Sequence, residues 1–176
     1  MKGLLIRNVE LADLKDVSEI VVKGWQTAYR GIVDDDYLDS LSVEENYQKR
    51  VKDYKENGFI VAEQDNKIVG FCRYRIGNNY KNEYPEVDCE LSALYVKPEE
   101  KRKGIGQELV KYVKNEFRKN NLNKMIIWCL KNNYSSRAFY EKMGGKLCGE
   151  TSCVRGGKEY KEVGFIYDLN EKFMHV

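Results

Sequence analysis

Glu90-Leu91-Ser92-Ala93-Leu94-Tyr95-Val96-Lys97-Pro98-Glu99-Glu100-Lys101-Arg102-Lys103-Gly104-Ile105-Gly106-Gln107 is the stretch on which the reading of this chain turns. Its first half reads as a strand, because Leu91, Ala93 and Tyr95 alternate with Glu90, Ser92, Leu94 and Val96 across the pleat. Pro98 has no amide hydrogen and ends the ladder. A charged loop follows, and Gly104-Ile105-Gly106 opens a helical pattern with Leu109, Val113 and Phe117 on one face. A strand, a basic glycine-containing loop and a helix N-terminus together make a place to hold phosphates. The glycines remove side-chain atoms that would keep an anion from the backbone, and the first helical amides have no internal acceptor. Lys101, Arg102 and Lys103 add positive charge at the same spot.

A P-loop would need Lys-Ser or Lys-Thr after the second glycine, and Gln107-Glu108 stands there instead. A dinucleotide fingerprint would need a third glycine at Leu109 and a first one directly after the strand. The stretch resembles a different signature, the Arg/Gln-x-x-Gly-x-Gly/Ala acyl-CoA motif of the GNAT superfamily of N-acetyltransferases. Lys101 occupies the position of the Arg or Gln. A second stretch, Asn133-Tyr134-Ser135-Ser136-Arg137-Ala138-Phe139-Tyr140-Glu141-Lys142-Met143-Gly144-Gly145, is similar to the family's late signature, Asn-x-x-Ala-x-x-Phe-Tyr-x-x-x-Gly-Phe. Asn133, Phe139, Tyr140 and Gly144 are in register, with Ser136 in place of Ala and Gly145 in place of Phe.

Composition narrows the classes. A chain of 176 residues, 42% hydrophobic, is enough for one well-buried core and small for two domains. Its 30 basic and 28 acidic residues leave a net charge of +2, which argues against nucleic-acid binding by net charge. No run of about 18 apolar residues spans a membrane, and Met1–Arg7 is apolar too briefly for a signal peptide. Cys72, Cys89, Cys129, Cys148 and Cys153 form no Cys-x-x-Cys pair, so reduced thiols in a cytoplasmic protein are expected. The only histidine, His175, is next to the C-terminal residue. Serine and cysteine hydrolase triads and zinc chemistry therefore lack their usual imidazole, and no metal is expected.

Along the chain, Leu4–Val9 reads as a strand and Leu11–Tyr29 as an amphipathic helix. A helix or helix pair covers Tyr37–Leu41 and Val43–Lys55, with Ser42 and Glu45 spaced as a capping box. Phe59–Glu63 and Ile68–Ile76 read as a hairpin turning at Asp65-Asn66. Gly77 to Pro85 is a polar loop. The apolar run Lys124–Leu130 suits a strand buried on both faces, parallel to the strand before the helical crossover. A short helix at Ser135–Met143 and two strands, Lys146–Val154 and Tyr160–Leu169, complete one mixed α/β domain over residues 1–176. That order matches the GNAT fold, whose resemblance implies a central, mostly antiparallel sheet of about seven strands with one parallel splayed pair and about four helices.

The resemblance further implies acetyl transfer from acetyl-CoA, as a cosubstrate, to a primary amine of a small molecule or peptide, directly within a ternary complex. The pyrophosphate would lie on the amides from Arg102 through Gly104 and Ile105 to Gly106; the competing account is a solvated basic turn capping a helix. The pantetheine arm would add like a strand beside Leu94, Tyr95 and Val96. Asn133 would hydrogen-bond the coenzyme or simply cap the following helix, with Ser136 and Lys142 as further contacts. Glu90 is the candidate base, against a salt-bridged glutamate or a water chain. Tyr140 is the candidate acid for the thiolate, against a core aromatic beside Phe139. The acceptor groove would draw on Trp25, Tyr29 and Asp34, where Asp34-Asp35-Asp36 near aromatic rings suits a cation, against a polar loop starting a helix. A non-catalytic acetyl-CoA-binding regulatory module and a phosphate- or RNA-binding protein are the rival functions, and monomer or homodimer stays open.

Overall fold

The computed structural model describes residues 3–56, 58–77 and 83–171. Seven strands hydrogen-bond in the order β1-β2-β3-β4-β5-β7-β6. They are β1 (Leu4–Asn8), β2 (Phe59–Gln64), β3 (Lys67–Ile76), β4 (Cys89–Val96), β5 (Lys124–Leu130), β6 (Lys146–Arg155) and β7 (Lys158–Asp168). The α-helices among the described residues are α1 (Leu14–Ala28), α2 (Asp35–Asp39), α3 (Val43–Asp53), α4 (Ile105–Lys119) and α5 (Tyr134–Lys142). There are five rather than about four, because the segment that reads as a helix or helix pair is a pair. The first expected helix also begins late, with a 3-10 turn at Leu11–Asp13. His175 and part of the Gly77–Pro85 loop lie outside the described residues.

The chain packs as two compact units, Met1–Tyr74 with Ala93–Val110, and Arg75–Ser92 with Lys111–Val176. In the first, β1 and β3 flank β2 antiparallel. The β2–β3 turn works because Asp65 and Asn66 both take positive φ (51° and 58°), a conformation their short polar side chains tolerate. Leu14, Val17, Ile20 and Val21 recur at helical spacing on α1 and form one core cluster with Phe59, Val61 and Phe71. Asp34 caps α2 by accepting from Tyr37 N, and Ser42 caps α3 by accepting from Glu45 N at 3.3 Å.

In the second unit β5 lies between β4, parallel to it, and β7, antiparallel. Its apolar run is what burial on both faces demands. Asp88 fixes the start of the parallel pair: its carboxylate accepts from Asn123 N at 2.9 Å and Lys124 N at 3.0 Å. Only two registered pairs follow, Cys89–Met125 and Glu90–Ile126, although both strands continue. All five cysteines are free thiols, and among the described residues no helix is long and apolar enough to cross a membrane.

Candidate active site

In the first unit, Leu94, Tyr95 and Val96 form the half-buried end of β4, and Lys97 N donates to Val69 O on β3 at 2.9 Å. Tyr95 is stacked on Phe71 with centroids 5.2 Å apart, and its hydroxyl accepts from Trp25 Nε1 at 2.8 Å. A single 3-10 turn, Pro98–Glu100, leads into the basic loop. Lys101, Arg102 and Lys103 are exposed, and Lys103 Nζ donates to Glu100 at 2.7 Å. Arg102 and Gly104 both have positive φ, 65° and 86°. A left-handed arginine is uncommon, and alternating left-handed residues turn successive amides inward, the geometry of an anion nest. Ile105 is buried and Gly106 half-buried at the start of α4. The α4 ladder opens with Glu108 N donating to Gly104 O, so the amides of Ile105, Gly106 and Gln107 have no acceptor within the helix. Gly70 on β3 keeps this arrangement compact, since a Cβ there would sit 2.9 Å from Tyr95 O and 3.4 Å from Ile105 and Leu109 atoms.

Trp25, Tyr29 and Tyr37 gather edge to face, with centroids 4.7 Å (Trp25–Tyr29) and 6.2 Å (Trp25–Tyr37) apart. Asp34 is the α2 cap, and Arg30 is ion-paired with Asp35 at 3.1 Å and with Asp39. The acidic segment is thus partly committed to its own helix and to Arg30.

In the second unit, Glu90 is 6% exposed and its Oε2 accepts from Arg75 Nη2 at 2.5 Å and Nε at 3.1 Å. Asn133 is buried and caps α5, accepting from Ser136 N at 3.1 Å. Ser136 is half-buried and Lys142 exposed. Tyr140 is 7% exposed, with its ring 5.5 Å from Phe139 and 5.9 Å from Phe165. Register places these groups on faces. Glu90 pairs with Ile126, which pairs with Ile166, so Glu90 shares a face with Ile166 and therefore with Glu162. Phe165, Tyr167 and the Tyr140 they contact belong to the opposite face. Glu90 and Tyr140 stand on the two sides of the strands whose ladder ends after Glu90–Ile126.

Two further groups were not legible in the sequence. Arg75 is one charge in an ordinary strand end, and nothing local ties it to Glu90. Glu162 sits among alternating charges at the start of β7, so no pattern singles it out. Burial pushes its carboxyl up and the Glu90 carboxylate adds to the rise, while Arg155 and the Cys153 thiol oppose it. The thiols are a negative finding of use: burial raises Cys72 and Cys89 well above the usual range and pushes Cys129 up to about 12. Cys148 and Cys153 are raised in the same sense. None of the five is an activated thiolate.

Gly145, where the resembling signature carries Phe, has a physical reason. A Cβ there would lie 2.8 Å from Tyr167 Cζ and 2.9 Å from Tyr140 O. The space is already filled by the β7 tyrosine.

A seven-stranded, mostly antiparallel sheet with one parallel pair, flanked by helices, is the fold that the GNAT resemblance implies. Residues 23–145 match the model of the Acetyltransferase (GNAT) family, and the chain belongs to that family. It is an acetyl-CoA-dependent N-acetyltransferase. It is 27% identical over 159 residues to the uncharacterized N-acetyltransferase YuaI of Bacillus subtilis, covering 90% of each chain. It is also 27% identical over 150 residues to the spermidine N(1)-acetyltransferase of Thermoplasma acidophilum, covering 81% of this chain and 88% of that one. Among solved structures it resembles the PaiA N-acetyltransferase of Thermoplasma acidophilum in complex with coenzyme A. There the TM-score is 0.69 and the identity 24%, over 91% of this chain and 98% of that one.

Proposed function

We propose that residues 1–176 work as one domain that acetylates a primary amine by direct transfer, with donor and acceptor bound together. Acetyl-CoA supplies the activated acetyl group. The amides from Arg102 to Gly106 hold its pyrophosphate, helped by the α4 N-terminus, while Leu94–Val96 receive its amide-rich arm. The Glu90 carboxylate takes one proton from the incoming ammonium, the free amine forms the C–N bond as the C–S bond breaks, the Tyr140 hydroxyl protonates the sulfur, and the second proton shed by nitrogen restores the phenol. The observation that supports this reading is that Glu90 and the β7 residues touching Tyr140 belong to opposite faces of the sheet in the second unit. The base for the amine and the acid for the sulfur are then separate groups, so neither neutralises the other before the acetyl group moves. The raised thiols support transfer without an acyl-cysteine stage.

For the acceptor we propose a cationic amine. The similarity to a spermidine N(1)-acetyltransferase supports the same class. The test is a panel of polyamines, amino acids and short peptides with free amino ends, scored by release of CoA thiol. Release with polyamines above the neutral amines supports the proposal. Release confined to neutral amines overturns the acceptor class, and acetyl-CoA binding with no release from any amine would make the protein a binding module.

A further inference from the structure

The last turn of α5 is held by more than its own helix. Gly144 takes φ of 90°, its amide donates to Glu141 O at 2.9 Å, and the Gly145 amide donates to Tyr140 O at 2.9 Å. This is a Schellman stop, and on its own it satisfies those carbonyls. The fold then adds two donors from other elements. Tyr167 on β7 donates its hydroxyl to the same Tyr140 carbonyl at 2.9 Å. Lys114 on α4, only 4% exposed, donates Nζ to Met143 O at 2.9 Å, and that ammonium lies 4.3 Å from the centre of the Tyr167 ring. Gly145 is required for the approach, since any Cβ there would strike both Tyr167 and the Tyr140 carbonyl.

A buried lysine and a buried phenol are costly groups to place in a core. Hydrophobic packing of α5 would need neither. Both converge within one helical turn of Tyr140, and one of them bonds to Tyr140 itself. We propose that Tyr167 and Lys114 are positioning residues for Tyr140, forming a clamp that fixes the end of α5 and with it the place of the Tyr140 side chain. This rests on the reading of Tyr140 as the acid.

The chemistry of the clamp agrees. The C-terminal end of a helix carries partial negative charge, which a cation stabilises. An aromatic face does the same for the same cation. The Lys114 ammonium faces the Met143 carbonyl from α5 and the Tyr167 ring from β7, among other groups, with the Arg118 charge nearby on its own helix. Burial, with a smaller push from Arg118, brings the Lys114 ammonium down to about 8. Mildly alkaline solution therefore discharges the clamp.

The experiment is a double-mutant cycle on turnover, using acetyl-CoA and the fastest amine of the panel above. Tyr167→Phe keeps the ring and removes the donor. It is expected to lower kcat about 10- to 100-fold, a misplacement of about 1 Å costing on the order of 10²-fold, with KM for acetyl-CoA little changed. In a Tyr140→Phe background the same substitution should have no further effect, because the group it positions is gone. A merely structural tyrosine would cost the same in both backgrounds, which overturns the clamp. Parental turnover in Tyr167→Phe beside a slow Tyr140→Phe also overturns it, leaving the acid role intact. Parental turnover in Tyr140→Phe overturns the acid role, and the clamp's purpose with it. Should Tyr167→Phe not fold, Lys114→Met enters the same cycle, with the same non-additivity expected.

Discussion

Replacing Lys114 by Met separates the charge of this buried side chain from its bulk. In the folded protein the ammonium is brought from 10.5 down to about 8, with burial the larger cause and Arg118 the smaller. Unfolded, it regains its ordinary value. The linkage sign follows. Between those two values the unfolded chain holds a proton that the folded one has released, so stability rises with pH by about 1.4 kcal/mol per pH unit. Across the whole window that amounts to about 3 kcal/mol. Below about 8 both states are protonated and the full cost of burying the charge is present. At neutral pH the variant escapes that cost but leaves the Met143 carbonyl without its Lys114 donor, a loss of about 1–3 kcal/mol. The two contributions nearly cancel at pH 7, so a single melting temperature would say little. The informative quantity is the parent-minus-variant difference in unfolding free energy, from urea titrations at steps between about pH 7 and pH 10. Subtracting the variant removes titrations common to both proteins, including those of tyrosines and thiols. The difference should be flat up to about pH 8 and then climb in the parent's favour. A flat difference throughout would show that Lys114 is not the buried cation described here.

Glu162→Gln should gain on the parent as pH rises from about 4 to 7. The raised carboxyl contributes stability only while protonated, and loses it as pH passes through the raised value; matched urea midpoints at the two ends would reveal this, and equal midpoints would count against it. Gly104→Val forces a β-branched residue to φ of 86°, costing about 1–2 kcal/mol, and fills the nest. Calorimetric titration should find acetyl-CoA affinity sharply reduced in a folded protein, and unchanged affinity would remove the pyrophosphate from this loop.

The parts of the fold legible in the sequence are those set by local chemistry. Pro98, the glycines and the helical spacing of Leu109, Val113 and Phe117 fix β4, its loop and α4 within one short stretch. Asp65-Asn66 marks a hairpin because both residues tolerate a left-handed backbone, as both then adopt. The unbroken apolar run of β5 announces burial on both faces, and the parallel pairing follows from it. Boundaries that depend on the cap rather than the period lie up to three residues from where the period puts them, as at Leu14, where α1 begins. The helix expected at Ser135–Met143 begins at Tyr134 because Asn133 accepts the Ser136 amide.

What the sequence leaves hidden is set by pairs distant in the chain. Strand alternation places Glu90 on a face, but Arg75 is brought to it only by the sheet. Glu162 acquires its raised carboxyl from burial by the fold and, to a smaller extent, from a neighbour on β4, neither of which leaves a mark near residue 162.

Gly145 shows why a motif can mislead when read one position at a time. Against the late signature it is a loss: an aromatic ring is missing beside the Tyr140 helix. The structure returns a ring to that place from β7, in Tyr167, together with a hydroxyl that reaches the Tyr140 carbonyl. Glycine is then the residue that lets the ring in, since the smallest side chain would collide with it. The volume behind α5 is filled by two positions far apart in sequence, 145 and 167. Restoring bulk at 145 alone should therefore injure the protein, because the space is already taken. Only a paired change, adding the ring at 145 while reducing Tyr167, keeps the volume constant, and it does so at the expense of the hydrogen bond that a phenylalanine cannot make.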